Sequence, residues 1–317
     1  MMIYTLRDLI LFRLNWKSSF VLLCIWLTTM FSDAGMAWAQ QLEPRAYSPS
    51  PVGANFLGIS YFYSSGGAAF DPSLPITNVV ARINAAVPYY ARTFGLFGRQ
   101  ASITAVVPYV WGTVHGDVQD VGRSVDRSGF GDPAMRFAVN LMGGPALSPL
   151  EFARHKPETT LGASLVVVAP LGQYDPSKLV NIGSNRWSFK PEVGLSQPIG
   201  NWVFEVYAGV WLFTDNNNFF GGQVKRQDPL AAYQAHIVYN FAARLWAAFD
   251  YTYYAGGVTT VNGQTSNDRQ ENTRSGVTFS VPMTLHQSLK FTYARGVTTR
   301  IGSELETIGV AWQYLWF

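Results

Sequence analysis

The chain ends on a stretch that leaves little choice of fold: Ile308-Gly-Val-Ala-Trp-Gln-Tyr-Leu-Trp-Phe317. Ile308, Val310, Trp312, Tyr314 and Trp316 fall on every second position, with Gly309, Ala311 and Gln313 between them. Period two places the first set on one face of a strand. A soluble sandwich rarely ends on so aromatic a face with no polar tail. A barrel in a membrane does, because its last strand pairs with its first and turns that face to lipid.

The beginning of the chain agrees. Arg7, Arg13 and Lys17 open it, Ser19–Phe31 is an apolar core, and Ala37-Trp38-Ala39 is an A-x-A cleavage site. This pattern is a secretory signal peptide, and the apolar run is too short for a spanning helix. Cleavage near Ala39 divides the chain into a signal peptide (1–39), an extended periplasmic leader (40–51, with Pro44, Pro49 and Pro51) and a barrel (52–317).

Composition separates this class from its rivals. Charged residues make up 14% and aromatic residues 15%, yet mean hydropathy is only +0.07. A helical membrane protein is far more apolar. A barrel averages lipid-facing and lumen-facing residues and lands near zero. The net charge of +3 gives no footing for nucleic-acid binding. The one cysteine, Cys24, lies in the signal peptide, so the mature chain has no thiol chemistry.

Read with period two, residues 52–317 give about twelve strands of an all-β, transmembrane, antiparallel up-and-down barrel. Apolar stripes expected to face lipid include Val79–Tyr89, Ile103–Trp111, Met135–Leu141, Leu161–Ala169, Trp187–Leu195, Trp202–Leu212, Ala231–Tyr239 and Phe241–Tyr253, each at alternate positions. Short links fall at Thr93–Gly98, Gly200-Asn201, Asn240 and Met283–Gln287, and longer polar ones at Gly116–Ser128, Tyr174–Asn185, Asp215–Arg226 and Gly256–Gln270. Short turns belong on the periplasmic side and long loops outside. Gly143–Pro157 breaks the rule as a long periplasmic link, with a helical turn expected at Pro149–His155.

The opposite phase of the same strands carries the candidate lumen residues: Arg82, Arg136, Lys190, Glu192, Glu205, His236, Arg244, Asp250 and Lys290. A lysine or arginine facing lipid at mid-bilayer would cost about 2–4 kcal/mol, so these side chains belong inside. Two readings stay open. They line a polar path for a solute, or they fill a narrow barrel as a cross-linked ion-pair network. No cofactor or metal is expected, since no His pair has ligand spacing. Nor is an enzyme expected. His286-Gln-Ser288 resembles the His-x-Ser spacing of outer-membrane phospholipase, but no Asn or Asp follows to orient the histidine.

Family resemblance rests on Gly129-Phe-Gly-Asp-Pro133, Tyr174-Asp-Pro176, Asn181-Ile-Gly-Ser-Asn-Arg-Trp187, Leu195–Trp202 and Gln227-Asp-Pro229. In that order they resemble the "MetA-pathway of phenol degradation" family of outer-membrane transporters, over about residues 52–317. The resemblance implies an outer-membrane location and passage of small, hydrophobic or aromatic compounds. A non-transporting structural or surface-binding barrel is the alternative. Trp316 and Phe317 resemble the terminal signal read by the barrel-assembly machinery. The other expected partners are outer-membrane lipid, lipopolysaccharide and a small-molecule solute.

Overall fold

The computed structural model describes residues 42–68, 71–299 and 304–317; the expected signal peptide, 1–39, lies outside them. Twelve antiparallel strands form one closed sheet. They are β1 (Asn55–Gly67), β2 (Ile76–Leu96), β3 in two pieces (Arg99–Val106 and Tyr109–Val118) and β4 in two pieces (Val121–Phe130 and Ala134–Met142). Then come β5 (Thr160–Val168), β6 (Ser188–Ile199), β7 (Trp202–Phe213) and β8 (Leu230–Ala242). The last four are β9 (Leu245–Gly256), β10 (Gln270–Pro282), β11 (Gln287–Thr299) and β12 (Glu304–Trp316). β1 closes on β12 from Asn55↔Trp316 to Gly67↔Glu304, which closes the sheet into a barrel; the outer piece of β4, Val121–Phe130, forms a ladder on one side only, with Tyr109–Val118.

The breaks in β3 and β4 lie side by side. Pro108 and Pro133 have no N–H to give the ladder, and Gly131-Asp132 bulges the second strand. A thinned ladder bridges the gap: Val107 N–H donates to the Pro88 carbonyl (3.2 Å) and Gly131 N–H to the Pro108 carbonyl (2.9 Å).

The outward face is apolar, as the stripes predict on most strands. Val206 (55% exposed), Phe249 and Phe291 stand in its middle. Rings pair at its two ends: Tyr61 with Trp111 on the outer side, and Tyr90 with Trp316 and Trp202 with Tyr239 on the periplasmic side. These are the interface girdles of a membrane barrel. The strand pairing stops at Trp316, and Phe317 lies one residue past it, exposed and out of phase with the stripe.

One stripe is corrected. On β2, Val79, Ala81, Ile83 and Val87 are buried and face inward, while Val80, Arg82 and Tyr90 face out. Val79, Ala81 and Ile83 form a cluster with Val110, Val114 and Val180, the last from an external loop folded into the bore. That loop supplies the apolar cover that lipid would otherwise give.

A second correction concerns Gly116–Ser128. It is not a loop. The outer pieces of β3 and β4 run through it as a hairpin that turns on Gln119 and Asp120, both at positive φ (52° and 62°). Their outward positions carry Thr113, His115, Ser124 and Asp126, polar because this hairpin stands above the lipid. The periplasmic link does hold a short helix, α1 (Pro149–Arg154). Ser148 caps it: its hydroxyl accepts from Glu151 N–H, while its own N–H donates back to the Glu151 carboxylate. Two external loops build a separate four-stranded sheet from Asn216–Phe219, Gln223–Gln227, Thr259–Val261 and Gln264–Thr265.

Candidate functional site

The bore is the site, and its first occupant is the chain itself. Residues 42–51, expected as a periplasmic leader, run up inside the barrel. Val52 N–H donates to the Leu147 carbonyl and Gly53 N–H to the Thr93 carbonyl, which fixes the segment at the periplasmic rim. From there it climbs along the inner wall of β4 to β9. Arg45 N–H donates to Glu205 Oε2 (2.7 Å), and its guanidinium reaches Asn240 Oδ1 (2.8 Å) and stacks over Trp246. Ala46 N–H donates to the Tyr207 hydroxyl (3.2 Å). The Tyr47 hydroxyl meets Ser164 Oγ (2.9 Å) and donates to Glu192 Oε1 (3.0 Å). Lys190 Nζ binds Glu192 (3.1 Å) and Glu43 (3.6 Å).

Two glycines make room for this segment. A Cβ on Gly162 or on Gly194 would collide with the Tyr47 ring. The bare backbone of β5 and β6 therefore forms the slot in which the ring lies, edge-on to Tyr207 at 5.0 Å.

Most candidate lumen residues converge here. Arg136, Lys190, Glu192, Glu205, His236 and Asp250 all project inward, and all but Arg136 are nearly or fully buried. His236 Nδ1 lies 2.6 Å from Asp250 Oδ1, and the Thr278 hydroxyl donates to Asp250 Oδ2 (2.7 Å). Arg136 donates to the Ala46 carbonyl (3.2 Å) and stacks on Tyr47 at 4.9 Å. Lys290 also projects inward, from β11 between Ser280 and Ala311, and it is exposed. An exposed side chain on an inner wall means open space beside it.

Two candidates are not in the bore. Arg82 faces outward on β2, paired with Ser65 and Thr113, because the phase of that strand is inverted. Arg244 sits in the β8–β9 turn at φ 63° and donates to the Thr284 and Leu285 carbonyls of the next periplasmic turn. It ties two turns together.

The segment covers only one side of the wall. Inner residues of β6 to β9 beneath it are buried. Across the bore Ser102, Thr104, Val106, Thr292 and Gln313 keep part of their surface accessible. Sequence reasoning missed the segment itself, and the one local signal was the mixed charge of Glu43-Pro-Arg-Ala-Tyr47 in an otherwise featureless leader.

It also missed what Asp132 does. Asp132 Oδ1 accepts from Gly172 N–H (2.8 Å), and Oδ2 accepts from Ser184 N–H (2.7 Å) and the Ser184 hydroxyl (2.6 Å). The motifs around Gly129–Pro133 and Asn181–Asn185 thus meet, and the loop between β5 and β6 is pinned inward with Val180 and Ile182 against β2 and β3. On the outer loops Lys225 Nζ lies 2.6 Å from Asp71 Oδ2. Burial alone would raise the Asp71 carboxyl, but the ammonium overrides it and holds the carboxyl below its ordinary range.

A closed sheet, apolar outside and charged within, defines a β-barrel of the outer membrane. The chain belongs to the family described as "Putative MetA-pathway of phenol degradation", whose profile matches residues 62–313. Among solved structures it is similar to the COG4313 outer membrane channel from Pseudomonas putida F1, at 20% identity and a TM-score of 0.72, covering 87% of this chain and 100% of that one. A looser likeness links it to the CymD monoaromatic hydrocarbon channel, at 10% identity and a TM-score of 0.43, covering 90% and 98%. No curated protein matches it in sequence.

Proposed function

We propose that the protein is a passive outer-membrane channel for small, hydrophobic or aromatic compounds. The observation that carries this reading is the uncovered half of the inner wall, where accessible Ser102, Thr104 and Thr292 lead to exposed Lys290. The family description supports the solute class, and the Pseudomonas relative of the same fold is itself described as a channel. The dense contacts of Lys190, Glu192 and Glu43 favour the alternative, a structural barrel stapled from within. Purified protein in a planar bilayer decides between them. Discrete conductance steps and slowed uptake of a small aromatic compound in a deletion strain are expected. A silent bilayer with folded protein and normal uptake would leave the structural reading.

We read the chain as non-enzymatic. His286 lies in a periplasmic turn with Nδ1 2.9 Å from the Leu315 carbonyl, an arrangement that holds a turn rather than activates Ser288. Around the barrel we place outer-membrane lipid and lipopolysaccharide. Arg82 suits a lipid phosphate, since it faces out one step beyond the Asn84–Tyr61 hydrogen bond. Assembly proceeds through the barrel-assembly machinery, with Trp316 and Phe317 as its signal. Removing those two residues is expected to lower the heat-modifiable, folded fraction in outer-membrane preparations several-fold. Full assembly of the truncated chain would refute that role.

A further inference from the structure

Charge inside the bore is unevenly matched. Its carboxylates are Glu192, Glu205 and Asp250 on the wall and Glu43 on the threaded segment, and every one is engaged. Glu43 and Glu192 share Lys190, Glu205 takes Arg45 N–H and the Ser196 hydroxyl, and Asp250 holds His236 and Thr278. Among the described residues, the inner faces of β1, β2, β3, β5, β11 and β12 present no carboxylate at all.

The cations are not so matched. Lys290 forms no ion pair among the described residues; Asp250 and Glu43 act on it only from a distance, and both are already engaged elsewhere. Arg274, 5% exposed on β10, donates to the Thr307 hydroxyl (2.7 Å), and its Nε has no partner. Arg136 spends one nitrogen on a carbonyl, leaving Nε and Nη2 unpaired. No carboxylate oxygen is among the buried side-chain atoms left without a partner in the described residues; the interior ones are nitrogens and one hydroxyl. What the uncovered side of the bore lacks is a carboxylate.

Rings accompany several cations of the barrel, Arg136 among them. Arg136 lies 4.9 Å from the Tyr47 centroid, Lys190 5.5 Å from Trp211 and Arg186 4.2 Å from Phe213. Tyr47 and Trp211 are buried, so these pairs show the bore holding its cations against rings, and the positive charge left for a solute is that of Lys290 on the uncovered wall. We infer that the channel prefers small aromatic monocarboxylates over neutral or cationic aromatics of the same size. This rests on the channel reading and narrows it.

Proteoliposomes at pH 8, corrected against protein-free vesicles, test it with benzoate, benzyl alcohol and benzylammonium. Benzoate should enter at least about fivefold faster than benzylammonium, and in a KCl gradient the reversal potential should take the sign of chloride permeation. Lys290→Gln should slow benzoate about two- to threefold, leave benzyl alcohol unchanged, and be rescued by Lys290→Arg. Benzylammonium entering as fast as benzoate, potassium selectivity, or a Lys290→Gln effect equal on all three solutes would overturn the inference while leaving a channel. No flux of any solute and no conductance would overturn the channel reading as well.

Discussion

Replacing Gly194 with leucine is expected to expel the amino-terminal segment from the bore and raise conductance several-fold. The new side chain points inward from β6 into the slot holding the Tyr47 ring, and Tyr207 Cδ1 lies 2.6 Å from where its Cβ would be. Overpacking of this kind costs about 1–3 kcal/mol. Loss of the Tyr47 hydrogen bonds to Ser164 and Glu192 adds about 1 kcal/mol. A total of about 2–4 kcal/mol shifts the ratio of threaded to unthreaded segment by about 30- to 1,000-fold. The barrel itself should survive, because the substitution leaves all strand pairing in place. Gel mobility with and without heating checks the barrel, and protease cleavage within residues 42–51 reports the segment. Unchanged conductance with the segment still protected would show that Tyr47 does not hold it.

Asp132→Ala is expected to free the loop between β5 and β6. Its carboxylate satisfies two backbone N–H groups and a hydroxyl, and charge-assisted bonds of this kind are the stronger ones. Their loss should cost about 2–4 kcal/mol locally, since the Gly172 and Ser184 amides lose their acceptor. Those amides should exchange with solvent on the order of 100-fold faster. Val180 and Ile182 would then leave the inner face of β2. Exchange at the wild-type rate would mean that the apolar contacts of Val180 hold the loop without the carboxylate.

Much of the barrel is legible in the sequence because its two solvents differ. Where lipid lies outside and a polar lumen inside, alternation reports the phase directly, as with Val206 out and Glu205 in. On β2 the contrast vanishes. Val79, Ala81 and Ile83 on one face compete with Val80, Ala86 and Tyr90 on the other, and alternation alone cannot say which apolar face lipid covers. Arg82 was misplaced with that strand. Arg244 shares the parity of Asp250, but β9 begins at Leu245, so parity says nothing about a turn residue. The outer pieces of β3 and β4 lack an apolar face to lipid and therefore read as a loop. The threaded segment was illegible for another reason. Its structure is set by distant partners such as Ser164 and Glu205, which the mixed charge of Glu43–Tyr47 does not identify.

Threading also gives the molecule an order of events. Glu43, Arg45 and Tyr47 find partners 191, 160 and 117 residues further along the chain. Contacts so distant in sequence form slowly, because the intervening chain must be in place first. The segment that precedes the first strand thus settles among the last, once β5 to β9 exist to receive it. β1 begins only a few residues after the segment, so the closing seam between β1 and β12 tethers it at the rim. A newly closed barrel would then pass through a wide-bored stage before it narrows itself, an immature pore whose lifetime the cell has reason to keep short.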